Sequence, residues 1–165
     1  MSTVRAILFT AAIACSVAAM AESPSKDELA QRDSAIRSIL SDFWGNARDV
    51  HGQPIQPTSA KDRLTVPISR AAAYRAIEAG NISGLAQWCG LEWEAHYFSL
   101  TKAARNMKMV DKQIAFISVL HGSGQGVFVR ARSGQTCSAH NRERAVTLME
   151  ESIKKGLPRD AKQSW

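Results

Sequence analysis

The sequence predicts a small all-α domain of four to five helices fastened by one disulfide. Three observations lead there. Apolar residues recur mostly at a spacing of three and four, the period of a helix with one buried face. Side chains that cap helices stand where those runs begin, as in Ser25 with Glu28 and Ser138. Two cysteines, Cys89 and Cys137, remain once an apolar leader is set aside.

That leader covers residues 1–21. Arg5 precedes an apolar stretch from Ala6 to Ala19, and Ala19-Met20-Ala21 meets the small-x-small rule for cleavage after Ala21. The stretch is short and Ala-rich for a membrane span. The expectation is a bacterial signal peptide, a periplasmic protein, one domain over residues 22–156 and a flexible tail over 157–165. A lipoprotein anchored through Cys15 is the alternative. Export to an oxidising compartment turns Cys89 and Cys137 into an expected bridge. Closing that loop removes about 4 kcal/mol of unfolded-chain entropy.

Taken in order, Ser25 and Glu28 form a capping box. Leu29, Ile36, Ile39, Leu40, Phe43 and Trp44 follow at helical spacing. His51-Gly52, Pro54 and Pro57 mark a loop to about Arg63. Pro67 suits the first turn of a second helix, whose alanine-rich body "ISRAAAYRAIEAGN" is expected to stop at Gly80. A short helical turn over 85–89 comes next, broken by Gly90. A long helix over 91–107 then places Trp93, Tyr97, Leu100, Ala104 and Met107 on one stripe and Leu91, Ala95 and Phe98 nearly opposite. Apolar on two sides, it is expected to be central. Asp111 is expected to cap a helix ending at His121-Gly122. A hairpin over about 113–132, turning at "HGSGQG" and giving an α+β fold, is the competing arrangement. Ser138 or Ala139 opens the last helix, closed by Gly156 and Pro158.

Lys and Arg number 21 against 15 Asp and Glu, a net charge of +6. A basic exported chain is drawn to anionic partners: an acidic envelope protein, anionic lipid or an envelope polymer. Nucleic acid is not expected at that destination. Arg130, Arg132, Arg142, Arg144, Lys154 and Lys155 crowd the second half and form the expected anion-facing surface.

Candidate chemistry is sparse. Glu92 and His96 lie four apart on an expected helix face, so with His121 they are the residues to consider as metal or small-ligand contacts. One such pair cannot hold a metal by itself. Met107 and Met109 offer soft sulfur, but methionines at this spacing are ordinary core. Ser99-Leu100-Thr101-Lys102 fits the Ser-x-x-Lys pattern of acyl-enzyme chemistry without its partner motifs, and Ser152–Lys155 repeats the pattern. "HGSGQG" lacks the Gly-Lys-Ser/Thr of a phosphate loop. No complete catalytic set emerges, no catalytic residue is assigned, and no cofactor is expected. The leading expectation is a non-enzymatic binding or adaptor protein of the cell envelope. A metal- or small-ligand-binding protein comes second, and a small hydrolase third.

Overall fold

Residues 25–49 and 51–165 are described by a computed structural model; the expected leader, its cleavage site and Cys15 lie outside them. Six helices occur among the described residues: α1 (Lys26–Asn46), α2 (Ala60–Leu64), α3 (Arg70–Trp88), α4 (Glu94–Asn106), α5 (Asp111–Ala131) and α6 (Ala139–Lys155). The fold is all-α, with five substantial helices and the single turn α2, and Cys89 is bonded to Cys137. No helix among the described residues is long and apolar enough to cross a membrane.

Helix starts follow the local chemistry closely. Ser25 and Glu28 exchange side-chain and backbone hydrogen bonds, completing the capping box. Ser69 Oγ accepts the Ala72 N–H and Ser138 Oγ accepts the Asn141 N–H. Each such cap contributes about 1 kcal/mol. Pro67 lies before the Ser69 cap rather than in the first turn of α3, and Asp111 is the first helical residue of α5 rather than its cap.

Helix ends depart from expectation at the glycines. Gly80 does not stop α3, which continues through Gly84 to Trp88. Nor does His121-Gly122 stop α5. The whole of "HGSGQG" is helical, so the hairpin and the α+β alternative are ruled out. The reason is the crossing of these two helices. A Cβ on Gly80 would collide with the His121 carbonyl oxygen, one on Gly124 would stand 2.5 Å from the Ile77 carbonyl oxygen, and one on Gly84 would stand 2.8 Å from Phe128 Cβ. Glycine is required there for backbone approach, and the packing outweighs the roughly 1 kcal/mol that each interior glycine costs a helix. What ends α3 is Gly90. At φ +66° its N–H bonds the Gln87 carbonyl while the Leu91 N–H bonds that of Ala86, a left-handed cap.

α3 and α5 form the centre. Ala72, Ala73, Ala76, Ala79, Phe116, Ile117 and Leu120 are buried between them and α1, whose Ile36, Leu40, Phe43 and Trp44 complete the main core. Phe43 meets Phe116 edge-on at 5.2 Å between ring centres. α4 is peripheral, contrary to the two-sided pattern. It begins at Glu94, buries Leu100 and Ala104, and leaves Phe98 59% exposed. A second, smaller core of Leu85, Ala86, Cys89 and Ala145 joins α3 to α6 beside the disulfide.

The C-terminal segment is held against the body. Ala161 is fully buried, its carbonyl accepts the Ser69 N–H, and Lys162 offers its carbonyl to the Gln113 amide. The guanidinium groups of Arg37 and Arg70 lie over the Trp165 ring. Residues 157–165, expected as a tail, thus contribute to the main core.

Candidate functional site

Two polar constellations stand out, one enclosed and one open.

The enclosed one begins with alanine spacing. Ala72, Ala76, Ala79 and Ala86 mark the buried face of α3, and Ser83 falls on the same face. Its Oγ lies 2.7 Å from His96 Nδ1 on α4 and 2.9 Å from His121 Nε2 on α5. His96 Nε2 lies 2.6 Å from Ser152 Oγ on α6. Arg75, 5% exposed, donates from Nη2 to Ser152 Oγ and to the Ser152 carbonyl, and from Nε to the Gly156 carbonyl.

Guanidinium can only donate, so Ser152 Oγ accepts from Arg75 and keeps its hydrogen and a second lone pair for His96. The chain beyond it runs in either of two directions. With the Ser152 hydrogen on His96 Nε2, His96 is protonated on Nδ1 and donates to Ser83, which donates to His121 Nε2; with protons on both Nε2 atoms, every one of these bonds is reversed. In either direction each link has one donor and one acceptor, with both imidazoles neutral. Burial pushes the His96 pKa down from 6.5 to about 4, helped by the Arg75 charge. Burial likewise takes His121 to about 4, helped by His96. Burial also lowers the Arg75 pKa, with the Glu78 carboxylate, 3.6 Å from Nη1, acting against it.

This chain bolts α3, α4, α5 and α6 together. Ser83 is completely buried and both histidines are 2% exposed, so no substrate reaches them in this arrangement. A serine beside a histidine here belongs to a buried core network, in which Arg75 Nη1 has no hydrogen-bond partner, rather than to an activated nucleophile.

The expected ligand set is thus divided. The structure brings His96 and His121 together through Ser83 but leaves Glu92 out. Glu92 lies ahead of α4, exposed, so it does not share a helix face with His96. Among the described residues no cluster of three or more His, Cys, Asp or Glu has metal-binding geometry. Ser99 Oγ donates to the His96 carbonyl in its own turn. The amides of "HGSGQG" lie within α5 and form no anion cradle.

The open constellation is a groove of about 720 Å³ along the outer side of α3. α1 and α6 both pack against α3 but make no close approach to each other, and the groove lies between them. Its floor is a helical stripe of α3: Tyr74, Ile77, Asn81, Leu85 and Trp88. At 1.5 Å per residue that stripe runs about 21 Å. Arg32 and Ala35 of α1 form one wall, and Arg144 and Leu148 of α6 the other. Phe128 and Arg132 close the end at Trp88.

Arginines stand at both ends of this stripe. The Arg32 guanidinium lies over Tyr74 at 5.8 Å, and that of Arg132 lies 5.6 Å from Trp88 and 5.7 Å from Phe128. The one carboxylate in the lining, Glu78, is already matched by Lys155 Nζ at 2.9 Å and by Arg75. The disulfide shapes the far end, because Trp88 precedes Cys89 and donates its indole N–H to the carbonyl of Gln135, two residues before Cys137.

All six expected anion-facing residues are exposed, but they do different things. Arg132 and Arg144 line the groove. Arg142 donates to the Cys89 carbonyl and Lys155 pairs with Glu78. Arg130 and Lys154 lie outside the groove lining. Arg32 and the α3 stripe went unremarked in the sequence, although Tyr74, Ile77, Asn81, Leu85 and Trp88 stand at spacings of three and four.

No protein-family model, curated protein or solved structure gives a significant match to this chain.

Proposed function

We propose that this chain is an exported, non-enzymatic binding protein of the bacterial cell envelope that engages an anionic partner through the α3 groove. The observation that carries the reading is the groove itself. An apolar and aromatic floor, with an arginine at each end that pairs with no carboxylate among the described residues and a single carboxylate already neutralised, is arranged to receive apolar surface bordered by negative charge. Its volume lies in the range of sites that enclose a ligand or anchor a partner's side chains. The bonded cysteines and the leader-like start support export to an oxidising compartment such as the periplasm.

The test is retention of envelope components on immobilised protein. Arg132 and Arg144 are exposed, so reversing both to Glu leaves the core untouched. Wild-type protein should retain a partner at low salt, release most of it at high salt, and lose it in the Arg132→Glu/Arg144→Glu variant. Equal retention by wild type and variant, indifferent to salt, would refute the reading.

A further inference from the structure

We infer that the groove's occupant is an amphipathic α-helix of a partner protein, its apolar stripe laid along α3 and its acidic residues meeting Arg32 and Arg132; the inference rests on the α3 groove being the binding site.

Shape comes first. The floor is the ridged surface of a helix, walled by two more, and it runs about 21 Å, the length of roughly 14 helical residues. A fourth helix can interdigitate with such a surface by ridges-into-grooves packing. Backbone chemistry comes second. An extended peptide would bring unpaired N–H and C=O groups into the groove, and its walls are α-helices whose own backbone groups are already bonded. The side-chain amides of Asn81 and Asn141 are too few to satisfy a strand. A helix carries its backbone hydrogen bonds internally and needs only side-chain complementarity.

Charge comes third. Arg32 is held over Tyr74 at one end of the stripe and Arg132 over Trp88 at the other. Both guanidinium groups stack on aromatic faces and are free of carboxylate partners among the described residues. The Tyr74-to-Trp88 stripe they cover, about 21 Å long, matches acidic residues about 14 positions apart on one helix face. A partner helix with apolar side chains at i, i+3 or i+4, i+7 and i+11, bracketed by glutamates, complements the apolar floor and the arginine at each end.

The probe is a capped synthetic helix of about 18 residues with that pattern. Three controls accompany it: the same composition scrambled to abolish the stripe, the same stripe with Lys for Glu, and a long-chain α,ω-dicarboxylate able to span both arginines. Fluorescence titration should show the patterned peptide binding and gaining helicity. The scrambled peptide should bind at least about tenfold more weakly. Arg32→Glu and Arg132→Glu should each weaken the patterned peptide about tenfold or more, and Arg132→Glu should bind the Lys peptide better than wild type does. Far-UV spectra and melting temperatures of the variants must match wild type.

Scrambled and patterned peptides binding alike, with Arg132 still required, would overturn the helix and leave an anion-binding groove. So would the dicarboxylate binding where no peptide does. Self-association of the chain that Arg132→Glu abolishes would assign the groove to a second copy and overturn a foreign partner. No probe binding in an Arg132-dependent way would remove both the helix and the groove.

Discussion

Ser83, His96, His121, Ser152 and Arg75 carry most of the residue-scale consequences. Neutral imidazoles are required for the one-way chain of donors, and both histidines titrate near 4 when folded, against 6.5 for a solvated imidazole. Between those values the unfolded chain takes up protons that the folded chain refuses. Stability is therefore full above about pH 6.5 and falls as pH drops toward 4, by up to about 1.4 kcal/mol per pH unit for each imidazole. Urea unfolding followed from neutral pH to about 4.5 should show that loss, and a His96→Gln/His121→Gln variant should show a shallower one. A flat wild-type profile would mean the histidines are not buried as described. Ser83→Ala removes the hydroxyl between the two rings and should cost about 1–3 kcal/mol. Ser99→Ala, which breaks only a bond within its own turn, should cost under about 0.5 kcal/mol. The imidazoles were visible in the sequence as chemistry-bearing residues. Ser152 stood there as a Ser-x-x-Lys serine, but Ser83 did not, because a serine on an alanine-lined face declares itself only once the buried face of α3 is known.

At the scale of elements, what sequence made legible was set by local chemistry, and what it hid was set by tertiary packing. Ser25, Ser69 and Ser138 cap helices with their own side chains, so starts could be read or nearly read from neighbouring residues. Gly80 and the glycines of "HGSGQG" read locally as stops, yet Gly80 and Gly124 are contact points of α3 and α5. Which glycine breaks a helix and which admits a neighbour depends on residues some forty positions away. Substitution separates the two roles. Gly80→Ala and Gly124→Ala press a methyl against a backbone carbonyl and should each destabilise by about 3 kcal/mol or prevent folding. Gly122→Ala, with nothing within 4 Å of its Cβ, should stabilise α5 by about 0.5–1 kcal/mol. Thermal melts of the three variants check the crossing. Equal effects at all three positions would contradict it. Phe98 illustrates the converse error: an apolar strip on α4 suggested burial on two sides, while the structure leaves Phe98 in solvent.

For the whole molecule, the buried chain, the glycine crossing and the disulfide serve one end: they fix α3 among its neighbours while leaving its outer stripe uncovered between α1 and α6. The basic half of the sequence pointed toward an anionic partner, and Arg132 and Arg144 do line the groove. Charge counting missed Arg32, which comes from the opposite end of the chain, and included Arg142 and Lys155, which are engaged with Cys89 and Glu78. Fold class and bridge were thus readable from pattern, whereas the groove arises only when α1 and α6 are set on either side of α3. The most direct test of the groove as the binding site is site-specific photo-crosslinking in envelope extract. A photoreactive residue placed at Asn81 on the groove floor is compared with one at Lys102 on the exposed side of α4, each with and without Arg132→Glu. A discrete adduct at Asn81 that is absent at Lys102 and lost with Arg132→Glu is the predicted result. Matching adducts at both positions, or an Asn81 adduct untouched by the charge reversal, would contradict it.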